Sequence, residues 1–501
     1  AIDTTGVGLT TLAADVTITA SGAAGILLGD LTGAKTLTLV ASNAAGVVTL
    51  LDANIGALSL TDANNVNFNG NFVTAGVASV TGVDGTITIT DAIGSIQAGG
   101  AVTLSAATVT NNELISGTSV SITGTTAINS NGRVTGTNGL VIFNNPVTLT
   151  GDSVISSPNG AITFSGDVSG TFDLTALAGD TVTFSSTVGG TVADPDSLTV
   201  IAHGLVLANT VNVGGHIYVR VDNVTFNAGS GTIATTAGGG NIDFGAALMD
   251  AAAGAVIDLV LTTNTTGSVI LGTIGSLDPL ASVDVNCAGS TTTLNGNITI
   301  DGAIDARDID FSGAASTLLA NNVTMQTTGA DSDVILGVTN GARNLIVVSA
   351  DEITVGGIIG GTSPLTGVAL AAADVVNVNA NITSGGAVTI DTTGDAATDD
   401  INLAANVIGL IVTFDTTGAT GGDTIVTVTQ NNTAGSTTYN GLVTMDGAIL
   451  DTITLTSFGN MIFNGVVTVT DIAAGGITST NGTLDFNADL SGADSINLNA
   501  A

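Results

Sequence analysis

Large aromatic side chains are nearly missing from this chain of 501 residues, which has no Trp and only 2 Tyr besides 13 Phe. Compact sandwich and barrel cores normally depend on large aromatic anchors, so their scarcity argues against such domains. We therefore expect a core of Val, Ile, Leu and Ala. The length exceeds that of one ordinary globular core, which leaves either several domains or an extended repeat array.

Positive charge is almost absent as well. Five cationic side chains face 41 Asp and Glu residues, for a formal net charge of −36. Nucleic-acid affinity comes largely from Lys and Arg at phosphates, so nucleic acid is excluded as a partner, and an anionic lipid surface would be repelled. The cations are Lys35, Arg133, Arg220, Arg307 and Arg343.

Glutamate is the third scarce residue, because only Glu113 and Glu352 among the acids are Glu. Glu favours helices, whereas the short side chain of Asp bonds nearby backbone amides and favours turns. The preference for Asp therefore predicts many turns and almost no helix.

Cys287 is the sole cysteine, so an intrachain disulfide is excluded and we expect a buried, inert thiol. No run of about 18 uncharged apolar residues occurs, so we expect no membrane span, and no signal peptide is recognisable. The sequence opens at Ala1 and stops in mid-pattern at Ala501. We expect it to be a mature or excised piece of a longer protein.

One short pattern recurs along the chain: an apolar residue, a small polar one and another apolar one, followed by Gly, Asn, Ser or Asp. Examples are Val66-Asn67-Phe68, Ile162-Thr163-Phe164, Val182-Thr183-Phe184, Val224-Thr225-Phe226, Ile242-Asp243-Phe244 and Leu484-Asp485-Phe486. Alternation with period two in β-branched residues predicts a strand with one buried face.

The spacing of these copies predicts how they pack. Val120, Val141, Ile162 and Val182 follow one another at intervals of 21, 21 and 20 residues. A unit of roughly 20 residues cannot bury its own apolar face, so each copy must stack on its neighbours. We predict an all-β parallel β-helix, or β-solenoid. The main alternative is a string of immunoglobulin-like domains, which repeat near 100 residues and usually carry a buried Trp or a corner Tyr.

One stretch breaks the pattern, because residues 190–221 contain Pro195, His203, His216, Tyr218 and Arg220. We predict a solenoid segment over 1–189, an irregular insertion or bend over 190–221, and a second solenoid segment over 222–501.

The runs Gly160-Ala161-Ile162-Thr163-Phe164-Ser165-Gly166, Gly240-Asn241-Ile242-Asp243-Phe244 and Gly385-Gly386-Ala387-Val388-Thr389-Ile390 resemble the repeats of filamentous-haemagglutinin-like exoproteins and autotransporter passengers. The likeness covers nearly the whole chain, through repeat texture and not through a unique motif. It implies a secreted right-handed β-helix with roughly 20-residue turns that serves as an adhesin, fibre or surface coat.

Catalysis has little support in the sequence. A sugar-cleaving β-helix needs converging carboxylates, often with aromatic platforms, and the best cluster is Asp305, Arg307, Asp308 and Asp310. Its neighbourhood offers only Phe311, which we expect to be buried. Two histidines give little basis for a nucleophilic triad. We predict no catalytic residues and no required cofactor.

Calcium is the one ligand that the sequence favours, because it prefers oxygen donors and Asp-rich turns supply them. Asp that caps turns without a metal is the competing interpretation at every position. The candidate ligands are Asp194 with Asp196, Asp331 with Asp333, and Asp395 with Asp399 and Asp400.

Together these observations predict a non-enzymatic structural protein outside the cell or on its surface, a solenoid subunit of a bacterial fibre, sheath, surface layer or matrix. Uncapped solenoid ends expose strand edges, so we expect self-association. Two alternatives stay open: an adhesin stalk that presents a binding tip to a carbohydrate or a host cell surface, and a polysaccharide-active enzyme.

Overall fold

The computed structural model describes most of the chain as short β-strands and, within the described residues, contains no α-helix. The described residues are 2–21, 25–42, 46–90, 94–190, 194–227, 231–236, 238–302, 308–392, 400–403, 405, 407–408, 411–415, 425–430, 436–439, 442–446, 452–457, 460–463, 466–470, 474–479, 483–492 and 496–500. The chain divides into two compact units, residues 1–241 and 242–501.

In the first unit, three strands in succession complete one turn, and strands of successive turns pair side by side in three columns. Five long strands pass from one column to the next: Leu31–Val40, Ala53–Asp62, Ala78–Ile89, Val102–Asn111 and Val120–Ser130. The other strands of column 1 are Ile2–Asp3, Ile26–Leu28, Val47–Leu50, Asn65–Phe68, Val147–Leu149, Val168–Gly170, Val211–Val213 and Gly231–Thr235.

Column 2 follows column 1 in each turn of the first unit, and its outward residues include Ile201 and Tyr218. Its other strands are Thr10–Thr11, Asn71–Thr74, Ser95–Ala98, Leu114–Gly117, Arg133–Gly136, Ser153–Ser157, Leu174–Ala178, Leu198–Ile201 and Ile217–Arg220. Those of column 3 are Val16–Thr19, Val141–Phe143, Ile162–Phe164, Thr181–Phe184, Gly204–Leu207 and Asn223–Phe226.

The second unit has the same arrangement, and its three columns are numbered 4 to 6. Column 4 contains Ile242–Asp243, Val269–Leu271, Thr291–Leu294, Ser316–Leu319, Thr339–Asn340, Ile382–Thr383, Val407–Ile408, Ser436–Tyr439, Asn460–Phe463 and Leu484–Phe486. Column 5 contains Leu248–Ala251, Thr273–Ile274, Ile298–Ile300, Val323–Thr327, Asn344–Ser349, Gly367–Ala372, Ala387–Thr392, Ile411–Asp415, Leu442–Asp446, Val467–Thr470 and Leu490–Gly492.

Column 6 completes each turn of the second unit. Its strands are Asp258–Thr262, Ser282–Asn286, Ile309–Asp310, Val334–Leu336, Ile353–Val355, Val375–Val378, Asp400–Leu403, Ile425–Gln430, Thr452–Ser457, Ala474–Ser479 and Ile496–Ala500. Between Val375–Val378 and Asp400–Leu403, for example, Val376 pairs with Ile401 in a parallel register.

The described pairings are parallel, and their registers confirm the predicted β-solenoid. Val120 pairs with Val141, Val141 with Ile162 and Ile162 with Val182, as their spacing predicts. A turn averages about 22 residues. The register spacing varies from 18 for Val102 with Val120 to 31 for Ile411 with Leu442, because the corners differ in length. The right hand of the coil stays a prediction.

The residues 190–221 contain regular strands of this coil. Leu198 pairs with Leu174 of the turn before and with Ile217 of the turn after, and Leu205 pairs likewise with Val182 and Val224. The described part of this segment therefore continues the stack of the first unit. The division of the chain into 1–189, 190–221 and 222–501 stays a prediction.

Side chains alternate along each strand, so that every second residue points into the core. In Ile162–Phe164 the first and third residues are buried and Thr163 lies on the outside. The core is aliphatic, as expected, but Phe contributes more than composition suggested. Phe143, Phe164 and Phe184 are buried and stack in successive turns, with ring centroids 5.0 and 4.9 Å apart and nearly parallel planes.

Glycine permits the tight corners between columns. Gly170 has φ of 122°, and a Cβ atom there would lie 2.3 Å from the carbonyl oxygen of Leu149 in the preceding turn. Any other residue would strain the backbone and push the two turns apart. The high glycine content thus reflects how closely successive corners approach.

We expect Phe164→Ala to destabilise the first unit by about 3–4 kcal/mol, because it removes the middle ring of the stack and leaves a cavity. Since repeat arrays lose cooperativity, amide exchange is the measurement of choice, and the amides of residues 141–143 and 181–184 should exchange at least about a hundredfold faster. Thr163→Ala, on the outward face of the same strand, is the control and should change stability by less than about 0.5 kcal/mol. Equal effects of the two substitutions would contradict the inward–outward assignment.

Candidate functional site

Carboxylate and amide side chains at the corners bind the backbone of the next turn. In the first unit, Asp15 Oδ1 accepts a hydrogen bond from the Thr36 amide (2.8 Å), and Asp52 Oδ1 accepts one from the Asn71 amide (2.7 Å). In the second unit, Asn297 Oδ1 does the same for the Thr324 amide (2.9 Å). A corner amide that faces away from the strand ladder needs such an acceptor. Short side chains fit this role, which accounts for Asp and Asn in place of Glu.

The predicted calcium ligands Asp194 and Asp196 lie at one corner of the first unit, where the Asp194 carboxylate is engaged in hydrogen bonds. Asp194 Oδ1 accepts the Gly190 amide (2.7 Å), and Asp194 Oδ2 accepts the Thr236 hydroxyl (3.1 Å). Asp196 is exposed, and its amide donates to the Phe172 carbonyl oxygen (3.0 Å). Both oxygens of Asp194 therefore hold the corner together.

The second predicted pair, Asp331 and Asp333, lies at a corner before column 6. Asp331 is exposed and adopts the left-handed region with φ of 61°, which Asp tolerates better than most residues. Asp333 Oδ1 accepts the Glu352 amide (3.0 Å) of the next turn, while the Asp333 amide donates to Asp308 Oδ1 (3.1 Å) of the turn before. Asp333 thus connects the corners of three successive turns through hydrogen bonds.

The third predicted group falls outside the part that the structure describes. Asp395 and Asp399 are not among the described residues, and Asp400 is described only as the first residue of the strand Asp400–Leu403. Among the described residues, no group of three or more His, Cys, Asp or Glu side chains is placed to hold a metal ion. Calcium binding stays a prediction.

The structure brings together acids that sequence reasoning had not combined. Asp284 pairs in register with Asp310, and Asp308, Asp333 and Glu352 occupy equivalent positions just before three successive strands of column 6. With Asp258, which pairs with Ser282 in the turn before Asp308, they form one strip across five turns. We call this strip the acidic face: Asp258, Asp284, Asp308, Asp310, Asp333 and Glu352.

The acidic face shifts the titration of its own members. Burial raises the pKa of Asp333 to about 6; the bond from the Glu352 amide acts against this rise, and the charges of Asp308, Asp351 and Glu352 add to it. Burial, and then the Asp310 carboxylate, raises the pKa of Asp284 against the lowering effect of its bond from Asn286. Mutual repulsion of this kind marks a surface with a strong negative potential, which attracts cations as a field and not through a fixed set of ligands.

The intervals between these acids in the sequence were the signal that could have predicted the acidic face. Asp308 precedes Asp333 by 25 residues, and Asp333 precedes Glu352 by 19, both close to one turn. Because the corners vary in length, the equivalence of these positions cannot be recognised without knowing the strand register. The structure places the sequence-predicted cluster differently: Asp305 and Arg307 lie outside the described residues, and Asp308 and Asp310 accept backbone amides of Asp333 and Ser312.

The remaining reactive side chains have structural surroundings. Cys287 is buried, as predicted, with its Sγ atom 3.3 Å from Thr292 Oγ1. His203 Nδ1 lies 3.0 Å from Asp222 Oδ2 at an exposed corner of the first unit, and His216 Nδ1 accepts the Asn241 amide (3.2 Å).

Comparison with known proteins finds a distant similarity. The chain is 29% identical over 492 residues to "Outer membrane protein A" of Rickettsia rickettsii, a match that covers 92% of this chain and 18% of that protein. The chain therefore spans about a fifth of the relative it matches. No protein-family model matches the sequence, and no solved structure matches it either. The chain is a β-solenoid protein with a distant likeness to this outer membrane protein.

Within the part of the chain that the structure describes, there is no helix long and apolar enough to cross a bilayer.

We expect the second unit to lose stability as the pH rises from about 4 to 6. Because the pKa of Asp333 is raised on folding, the folded state holds its proton more tightly, and that advantage disappears once the carboxyl ionises. Asp333→Asn keeps the acceptor for the Glu352 amide without the charge. It should stabilise this unit at pH 7.5 by about 1 kcal/mol, after discounting for the screening of a half-exposed carboxyl.

The matched control is Asp30→Asn, which removes one exposed carboxylate from the first unit. Thermal unfolding followed at pH 4 and pH 7.5 distinguishes the two variants. The Asp333→Asn benefit should be present at pH 7.5 and nearly vanish at pH 4. A benefit of equal size at both pH values would contradict the assignment.

Proposed function

We propose that this chain is a non-enzymatic structural protein of the bacterial cell surface, a solenoid segment of a fibre, sheath, surface layer or matrix that associates with copies of itself. The observation that carries this proposal is the use of its carboxylates. Asp308 and Asp333 accept backbone amides of neighbouring turns, and Asp194 accepts the Gly190 amide of its own corner and the Thr236 hydroxyl, so these carboxylates stiffen the coil. An enzyme would instead aim such groups at a shared point in a cleft.

The rest of the surface supports a mechanical role. Outward positions of column 3 carry mostly hydroxyl groups in register, such as Thr17, Thr38, Ser59, Ser79 and Thr103. Flat faces of small polar side chains suit extended packing better than recognition of a small molecule. The similarity to an outer membrane protein supports a place at the cell surface.

The mechanism that we propose combines stiffness with charge. Stacked apolar strands resist bending, and a net charge of −36 keeps separate molecules soluble and apart. Divalent cations drawn to the acidic surface as a whole would lower this repulsion between copies and favour association.

A second candidate is an adhesin stalk, in which the solenoid holds a binding domain away from the cell. The matched region makes up 18% of the relative, so that protein carries much further sequence outside its resemblance to this chain. A stalk segment would stay monomeric, whereas a fibre or layer segment would associate.

Sedimentation velocity and negative-stain electron microscopy of the purified chain, with calcium and with a chelator, distinguish the two. We expect concentration-dependent association that calcium strengthens and the chelator weakens. Magnesium at equal ionic strength is the control for general screening. A chain that stays monomeric at every concentration, with and without calcium, would contradict the fibre or layer role and favour the stalk.

A further inference from the structure

Two large exposed side chains of the first unit, Ile201 and Tyr218, lie together on column 2. Ile201 pairs in register with Leu177 on one side and Arg220 on the other, and Tyr218 pairs with Thr199. All five point outward from their strands, and Ile201 and Tyr218 are 45% and 40% exposed. We call these residues, Leu177, Thr199, Ile201, Tyr218 and Arg220, the Tyr218 patch.

The fold does not require these residue types. Equivalent outward positions in earlier turns of the same column are occupied by smaller side chains, such as Val154, Ser156 and Thr135. The chain nevertheless places here one of its 2 Tyr and one of its 5 cationic residues. Residues this scarce, exposed on a regular strand, indicate a surface that serves contact with another molecule.

The guanidinium group of Arg220 is held in a defined position. It lies 3.8 Å from the centroid of the Tyr218 ring, and Nη1 donates to the Val219 carbonyl oxygen (2.8 Å). A stacked and bonded Arg loses little freedom on binding, so its contribution to a contact is larger than that of a freely moving side chain.

Column 2 also lacks acids on its face. The strands from Asn71–Thr74 to Ile217–Arg220 contain no Asp or Glu, and the exposed Arg133 stands four turns before Tyr218 in the same row. Acids border the column at its corners, where Asp173 accepts the Ser197 hydroxyl (2.6 Å) and Asp222 faces His203. In a molecule this acidic, a face with two Arg and no acid on its strands stands out.

The shape and chemistry of the Tyr218 patch indicate what kind of molecule it would bind. A flat sheet face is a poor pocket for a small ligand, whereas Tyr and Arg are enriched where proteins meet. The partner must offer carboxylates on a similarly flat surface. The acidic face of column 6 does so, and it spans four turn intervals, about 19 Å, as does the distance from Arg133 to Tyr218.

We propose that column 2 of one copy, centred on the Tyr218 patch, docks on the acidic face of a second copy. This contact rests on the proposed self-association and names the two surfaces that make it. Because the surfaces differ, each copy keeps one of them free after pairing. The contact is therefore heterologous, and repeated pairing builds an open assembly.

The size of the surfaces sets the conditions of the test. The shorter surface limits the contact: the five strands of the acidic face measure about 24 Å by 10 Å, or about 240 Å² per partner, which is roughly a third of what a typical stable complex buries. Single contacts are consequently weak and sensitive to salt. Association should be measured at high protein concentration and low ionic strength, and 0.5 M NaCl should abolish most of it.

Two full-length variants and their mixture test the proposal by sedimentation velocity. Arg133→Glu/Arg220→Glu disables column 2 and leaves the acidic face intact. Asp284→Asn/Asp310→Asn weakens the acidic face but keeps the oxygen acceptors for Asn286 and Ser312. The control Lys35→Glu/Arg343→Glu makes the same charge change as the first variant at positions outside both surfaces. Thermal unfolding verifies that all variants fold.

We expect each interface variant alone to associate at least about tenfold more weakly than the wild type, and the control to associate within about threefold of it. The mixture should form one-to-one pairs that grow no further, because only one functional interface exists between the two variants.

Wild-type association that neither variant weakens would overturn this contact while leaving self-association intact. Variants that each lose association but do not pair when mixed would show that the two surfaces do not meet, and would also overturn it. A wild-type chain that never associates would remove the proposed function itself.

Discussion

Each turn of this protein is held in place by the turn before it. A strand of three to five residues has no stability of its own, but in-register pairing gives it backbone partners on both sides and lets like side chains stack in the interior. The rings of Phe143, Phe164 and Phe184 show the result, with one aromatic directly over the next in three successive turns. Every other feature follows from maintaining this register through corners of unequal length.

The corners explain the unusual acid content. Where the chain leaves one column for the next, a backbone amide loses its ladder partner, and a carboxylate or amide oxygen one turn away replaces it. The negative charge is therefore partly a consequence of how corners are closed. Where such acids fall on neighbouring strands as well, as on column 6, burial and then the charges of neighbouring carboxylates raise the pKa of Asp284 and Asp333. The acids at the corners thus contribute both to the stability of the coil and to its negative surface charge.

The scarcity of cations limits the surfaces through which copies of the molecule can associate. A molecule this acidic can associate only through faces that lack acids or through ions that neutralise them. Column 2 of the first unit is such a face, and it holds Arg133, Tyr218 and Arg220 on its outside. Unequal surfaces on one chain favour open assemblies over closed pairs, as a fibre or layer requires.

Much of this fold could be predicted from local pattern, because alternation in Ile162-Thr163-Phe164 and a regular interval to Val182 reflect burial and stacking directly. The contribution of Phe to the core was underestimated, since composition does not show which residues share an interior row. The acidic face was missed for a related reason: Asp284 and Asp310 become neighbours only through a register that corner lengths determine. The pairs Asp194 with Asp196 and Asp331 with Asp333 were recognised as special, but the bonds that Asp194 accepts from Thr236 and Asp333 accepts from Glu352 depend on later turns, which local sequence does not reveal.

The central claim is that outward residues one turn apart in sequence are one strand spacing apart in space. Spin labels on column 3 of the first unit, in a Cys287→Ala background, measure this directly by pulsed electron spin resonance. Ser79 and Thr163 are four turns apart, Thr38 and Thr163 six, and Thr17 and Thr225 ten. The stack predicts distances near 19, 29 and 48 Å, in proportion to the number of turns. Distances that do not increase with the number of turns would contradict the solenoid and everything inferred from its faces.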